Sequence, residues 1–323
     1  MQKYFLGVDG GNTKTDYLLC ESDGTVVKKL RAGTCSHEHL GFDGMEREMR
    51  AHLSELFSCE KINLNEIAAA GFGLAGADFS TQIEELKKRV EAIGFSRYAL
   101  GNDGILGIKA ASENGAGICA VNGTGTVVVG INKRGEFLQI GGVGGLGNNA
   151  GGSHLREKII HALYDFHFRC GENSKMFSSL SELLDANEKN LLEKICDYTL
   201  HEKYFTEIIQ IGAKAAAEND CVAKKIFDDA AISIAKSAAG CIKKLSFDEP
   251  VDIVLVGSIW HKTPYAGMSE IFLHTTQNLC EKICRIVKLE TTAAVGGVFW
   301  AKEIFDGAAP GKDFRASVMK KIV

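Results

Sequence analysis

Two short runs of small residues carry the chemistry most plainly written in this chain. The first is Asp9-Gly10-Gly11-Asn12-Thr13-Lys14-Thr15 and the second Asn122-Gly123-Thr124-Gly125-Thr126. Glycine lets backbone N–H groups approach an anion closely and take positive φ. Threonine hydroxyls add donors, and Lys14 adds a point positive charge. Asp9 is the odd member, because a carboxylate beside phosphates repels them unless a Mg2+ and its waters lie between. Two such loops facing across a cleft would hold a triphosphate from both sides. Either loop alone also reads as a tight hairpin turn, which Gly, Asn and Thr favour. A Walker-type or Rossmann site is excluded: G-x-x-x-x-G-K-[ST] is missing, and the glycines lie between two hairpin strands instead of opening a helix.

Asp103 follows a short apolar run and precedes a helical one. That position suits a helix N-cap, and it equally suits a base aimed at a substrate hydroxyl. Between Gly141 and Gly152 the chain reads GGVGGLGNNAGG, either a flexible linker or a loop lining a cleft at a helix N-terminus. Ten cysteines and nine histidines invite a search for metal ligands. His161, His167 and Cys170 show no ligand spacing, His37 and His39 lack a third partner, and Cys280 and Cys284 stand as a lone pair. Buried thiols and ordinary histidines are the better reading.

These residues need elements to position them. Lys3–Val8, Thr13–Cys20 and Thr25–Leu30 read as strands, with a turn at Ser22–Gly24. A helix is expected over Phe42–Phe57 and a strand over Ile67–Leu74. Thr81 and Glu84 suggest a capping box opening a helix to Ile93. A strand at Arg97–Gly101 and a helix at Ile105–Ser112 complete the order βββαβαβα. The order then repeats: strands at Ile118–Val121, Thr126–Asn132 and Phe137–Ile140, later ones at Val251–Val256 and Cys284–Leu289, and a closing helix over Thr292–Ile304. The expected fold class is therefore α/β, as two domains with a cleft between them, 1–115 and 116–323. A helical insertion falls at about 153–245, and the final helix is placed to pack back on the first domain.

The 323 residues, 45% hydrophobic and 24% charged, describe an ordinary globular chain, and a net charge of −4 gives no field for nucleic acid or an anionic membrane. Lys3 and the few apolar residues before Gly7 do not read as a signal peptide, and no apolar run reaches the roughly 20 residues of a membrane helix. A cytoplasmic location is expected.

The blocks GVDGGNTKTD, GFGLAGAD at Gly71–Asp78, NDGILGIKAA at Asn102–Ala111, VNGTGTVVVG, VLVGSIW at Val254–Trp260 and TAAVGGVFWA at Thr292–Ala301 occur in an order that resembles the BadF/BadG/BcrA/BcrD ATPase family, in its N-acetylglucosamine kinase branch. The resemblance implies two ribonuclease H-like (actin-like ATPase) domains, with ATP as co-substrate and Mg2+ as cofactor. It implies Asp9 to Thr15 and Gly123 to Thr126 as phosphate loops, Gly257 and Ser258 beside the adenosine, and Asp103 as catalytic base. Ser36, His37, Asn122, Gly144, Gly145, Asn148 and Asn149 would line the sugar pocket together with Asp103. The expected partners are ATP and an amino sugar, with a homodimer left open.

The chain also departs from its relatives. Many sugar kinases of this branch carry Gly-Asp-Glu-Gly-Ser where Gly147-Asn148-Asn149-Ala150-Gly151-Gly152 stands here, and Gly33–Gly41 lacks their Asn-His pair. An asparagine does not repel a sugar bearing its own carboxylate. The expected acceptor is thus the 6-hydroxyl of N-acetylglucosamine, with N-acetylmuramic acid a second substrate. Two rivals accompany this reading: an ATPase activator of a radical dehydratase, which needs a cysteine that the helix beginning GGSHLREK lacks, and a non-catalytic nucleotide-binding regulator.

Overall fold

The structure, a computed structural model, describes residues 3–289 and 291–322. The first half runs β1 (Tyr4–Gly10), β2 (Lys14–Glu21), β3 (Val26–Gly33), α1 (His37–Glu60), β4 (Ile67–Leu74), α2 (Ser80–Ile93), β5 (Tyr98–Gly101) and α3 (Gly104–Ala111). The second runs β6 (Gly117–Asn122), β7 (Thr126–Ile131), β8 (Phe137–Gly141), a helical stretch, β9 (Val251–Val256), α10 (Ser258–Lys262), α11 (Gly267–Cys280), β10 (Cys284–Val287), α12 (Ala293–Asp306) and α13 (Lys312–Met319). The helical stretch comprises α4 (Gly152–Phe168), α5 (Met176–Leu183), α6 (Leu191–Cys196), α7 (Tyr198–Lys203), α8 (Phe205–Ala217) and α9 (Cys221–Leu245).

The two halves are topological copies. One five-stranded sheet has the order β3-β2-β1-β4-β5 and the other β8-β7-β6-β9-β10. In each, an antiparallel meander of three strands adjoins two parallel strands reached by crossovers. Ligands on such sheets bind beyond the carboxyl ends of the strands. Both glycine loops, the Asp103 segment and Gly257 lie at those ends.

Between the sheets lie α3 and α12. A Cβ at Gly7 of β1 would run into the Ala294 carbonyl, and one at Gly71 of β4 into the Gly297 carbonyl. Helix α12 therefore crosses the first sheet at backbone contact, which only glycine permits. Its other side meets α3, whose Ile105, Leu106 and Ile108 pack with Cys119, Val129 and Ile131 of the second sheet. The insertion has its own apolar content: Leu155, Ile159, Phe227, Ile234 and Ala238 are buried together against β6 and β7 residues.

Several elements differ from expectation. Helix α1 begins at His37, five residues early, because the Ser36 hydroxyl accepts the Glu38 N–H at 3.3 Å. Gly41, at φ 67° and ψ 169°, then interrupts the helix. Helix α2 is not opened by Thr81 and Glu84: Gln82 Oε1 accepts the N–H groups of Phe79 at 3.0 Å and Asp78 at 3.3 Å. The last strand stops at Val287, and α13 had no expected counterpart. Among the described residues no helix is long and apolar enough to cross a membrane.

Candidate active site

Strands β1 and β2 enter the first loop with Asp9 opposite Asp16. Gly11 N–H donates to the Lys14 carbonyl at 3.0 Å and closes the turn, leaving Asn12, Thr13 and Lys14 exposed. Lys14 Nζ rests 2.9 Å from Asp16, which Arg31 also holds at 2.6 Å. A half-exposed pair of this kind is worth at most about 1 kcal/mol, so Lys14 stays free to meet a phosphate. Thr15 is fully buried, taking the Cys35 N–H at 3.1 Å and donating to Cys35 Sγ at 3.2 Å. It braces the loop from beneath. Asn12 Oδ1 accepts from Ser36 Oγ at 2.7 Å, so Ser36, offered as a sugar contact, is spent on tying the loop to α1.

Asp103 opens α3 without capping it. Asn102 Oδ1 takes the Gly104 N–H at 2.9 Å, which leaves the neighbouring carboxyl for other work. Burial pushes Asp103 up to about 6; the Gly104 N–H opposes, and the charges of Asp78 and Glu38 add to the rise. Asp9 is pushed further, to about 7, by burial first and then by the charges of Asp103 and Asp16, against Lys14 and Arg31. Two largely enclosed acids, one in the field of the other, call for a cation. A Mg2+ ion fits this set: Asp9 would hold it, through water, and it would supply the charge that lets both carboxyls ionise beside a triphosphate.

The second loop is held from outside its hairpin. Thr126 N–H donates to Asn148 Oδ1 at 2.9 Å, and Thr126 Oγ1 to Asn122 Oδ1 at 3.3 Å. The Gly152 and Ser153 N–H groups at the start of α4 donate to the Gly123 and Thr124 carbonyls at 2.8 and 3.0 Å. The α4 terminus is thereby docked on the loop. Gly257, at φ 110°, lies so close that a Cβ would strike the Asn122 carbonyl, which sets the exposed Ser258 beside the same loop. Gly144 and Gly145, by contrast, stand in open space, and Asn149 is exposed. The structure thus brings Asn122 through Thr126, Asn148, Gly257 and Ser258 together and leaves the tip of the glycine-rich loop apart.

A further polar group gathers at Asp78, whose charge acts on Asp103. His37 is buried and stacked on Phe42, with ring centroids 4.6 Å apart, and both its ring nitrogens lack partners among the described residues. Burial lowers its pKa, against the charges of Glu38 and Asp78. Asn122 Nδ2 and Gln139 Oε1 are likewise buried without partners among the described residues. Asp78 Oδ1 receives Asn102 Nδ2 at 3.0 Å and Gln139 Nε2 at 2.9 Å. Asp78 and Gln139 had not been singled out. Asp78 could have been, as an acid just past the carboxyl end of a parallel strand; a glutamine inside a strand carries no signal. Elsewhere, a cavity of about 660 Å3 opens among α4, α6 and α7. It includes Arg156, whose guanidinium is already matched by Glu202, so it does not rival the polar set at Asp103.

A duplicated sheet with a glycine loop after the first strand of each copy defines the actin-like ATPase fold. Within it, the chain belongs to the BadF/BadG/BcrA/BcrD ATPase family, whose model matches residues 6–301. It is 23% identical over 309 residues to the N-acetylmuramic acid/N-acetylglucosamine kinase of Clostridium acetobutylicum, covering 94% of this chain and 100% of that protein. It is 24% identical to the N-acetyl-D-glucosamine kinase of Dictyostelium discoideum, over 79% of this chain and 84% of that protein. Among solved structures, the ROK hexokinase of Thermus thermophilus superposes with a TM-score of 0.56 at 16% identity, over 94% of this chain and 100% of that one.

Proposed function

We propose that this chain is an ATP-dependent sugar kinase that transfers the γ-phosphate to the 6-hydroxyl of N-acetylglucosamine, with N-acetylmuramic acid as a second acceptor. The observation that carries the reading is the Asp103 carboxyl, freed from capping by Asn102 and held at about 6, where a general base works best near neutral pH. Asp103 takes the proton of the sugar hydroxyl, the oxygen attacks the γ-phosphorus, and ADP leaves with the pair of electrons from the bond broken. Most of the catalysis lies in alignment and charge, so Gly10 to Lys14 and Gly123 to Thr126 do more than the base. Small residues at Gly257 and Ser258 leave room for the flat adenine.

The domains divide at 115/116, with α12 returning to the first. Its glycine contacts fix α12 on β1 and β4, and the halves would close by a hinge motion between the domains. The amide of Asn148 in place of an acid supports acceptance of the muramic sugar. So does the likeness to a relative whose name carries both sugars.

An ADP-release assay with N-acetylglucosamine, N-acetylmuramic acid, glucose and mannose tests the reading, with phosphorus NMR of the product locating the new ester. Stimulation by the first two and a 6-phosphate product are expected. ATP consumption that no sugar alters would defeat the proposal.

A further inference from the structure

Asp78 and Gln139 come from opposite sheets and meet. Asp78 lies just beyond β4, and Gln139 stands in the middle of β8. Gln139 Nε2 donates to Asp78 Oδ1 at 2.9 Å and to the Gly141 carbonyl at 3.3 Å. The amide orientation follows from chemistry, since a carboxylate only accepts. The same Asp78 oxygen takes Asn102 Nδ2 at 3.0 Å, and Asn102 Oδ1 takes the Gly104 N–H at 2.9 Å. An unbroken chain of side-chain bonds therefore runs from the second sheet to the residues flanking Asp103.

The groups left over around this chain point to a ligand. Gln139 Oε1 is buried and has no donor, and the His37 ring, within the field of Asp78, has two unpartnered nitrogens. Buried polar atoms are nearly always paired, so such a cluster marks a place for outside hydrogen-bonding groups. The charges of Glu38 and Asp78 beside Asp103 suit a ligand group that donates hydrogen bonds, such as a sugar hydroxyl. We propose that Asp78 and Gln139 form a two-sided clamp that closes on a ring hydroxyl of the sugar other than the one phosphorylated. Gln139 Oε1 accepts that hydroxyl's hydrogen, and the Asp78–Asn102 link carries the resulting alignment to Asp103. The clamp rests on the amino-sugar kinase reading above; Gln139 touches the sugar, and Asp78 is a positioning residue that acts through Gln139 and Asn102.

The test compares wild type with Gln139→Ala and Asp78→Asn on N-acetylglucosamine and its 3-deoxy and 4-deoxy analogues at saturating MgATP. Gln139→Ala is expected to raise the sugar KM about tenfold while leaving the MgATP KM unchanged. One of the deoxy sugars, about tenfold worse with wild type, should lose nothing further with the variant, because the partner it lacks is already gone. Asp78→Asn should add a fall in kcat. A structural role alone would not single out one hydroxyl. Deoxy penalties that are the same in wild type and variant overturn the clamp. Wild type inert toward every amino sugar overturns the kinase reading itself, and with it the clamp. Gln139→Met, which keeps length and packing, gives the same comparison if the alanine variant does not fold.

Discussion

Asn148 Oδ1 receives the Thr126 N–H at 2.9 Å, so a side chain of the glycine-rich loop holds the second phosphate loop in place. Asn148 stands where the sequence resemblance leads one to expect an acidic element, and its amide oxygen takes up the acceptor role toward the loop. A carboxylate would accept the same N–H; only the charge has changed.

That separates two effects at one position. Asn148→Ala removes the acceptor and leaves a loop N–H unpaired, at about 1–3 kcal/mol. The expected result is a lower Tm and a MgATP KM raised several-fold. Asn148→Asp keeps the bond and should preserve Tm, while its charge lowers kcat/KM for N-acetylmuramic acid more than for N-acetylglucosamine. Equal losses on both sugars would show that Asn148 has no part in acceptor choice.

Asp103→Asn is expected to lower kcat by about two to four orders of magnitude with MgATP binding by calorimetry intact. The pH dependence has a definite sign. With the carboxyl pushed up to about 6, the base is ionised above that value and protonated below it. The kcat/KM of wild type should therefore fall as pH drops through about 6, and the residual rate of the variant should lack that limb. A variant with the wild-type profile would move the base elsewhere.

Asp9 links stability to the metal. Its folded carboxyl sits at about 7, against 3.8 for the free side chain. Between those values the folded chain holds a proton that the unfolded chain has released, so folding stability falls as pH rises through the window and levels off above about 7. Asp103 contributes the same slope up to about 6. Asp9→Asn should raise Tm at pH 8 in EDTA, flatten the upper part of the slope, and raise the Mg2+ concentration needed for half-maximal activity. Unchanged Tm together with unchanged Mg2+ response would remove Asp9 from the metal.

What could be read in advance was local. Alternating apolar residues bounded by Gly, Asn and Asp gave both hairpins, because turn chemistry and strand period act within a few residues. Thr15 shares its strand face with Tyr17 and Leu19, all buried, but Leu18 and Cys20 on the opposite face are buried too, so alternation alone did not mark its hydroxyl as inward. The early start of α1 was harder: Ser36 competes with Gly41 to define the boundary, and the cap hydrogen bond decides. The bond between Asp78 and Gln139 was beyond reach, since it spans 61 positions from the loop after β4 to a strand of the other sheet and has no period. The docking of α4 on Gly123 and Thr124 is likewise tertiary.

Lys109 and Glu303 offer a last test, on the α3–α12 contact at the far end of α3 from Asp103. Their charged groups are 2.7 Å apart, with Lys109 only 2% exposed and Glu303 26%. Removing one partner of a buried pair is severe when the charge left behind has no water. Glu303→Gln strands the buried ammonium, whereas Lys109→Met leaves a carboxylate that solvent can reach. Urea unfolding should therefore rank Glu303→Gln as the more damaging change, by about 3 kcal/mol or more against about 1 for Lys109→Met. Because α3 carries Asp103 at its start, the same variant should also lower kcat without altering the KM for MgATP. The opposite ranking would mean that the contact of the Lys109 ammonium with the Trp300 ring, 5.8 Å from its centroid, outweighs the pairing of charges.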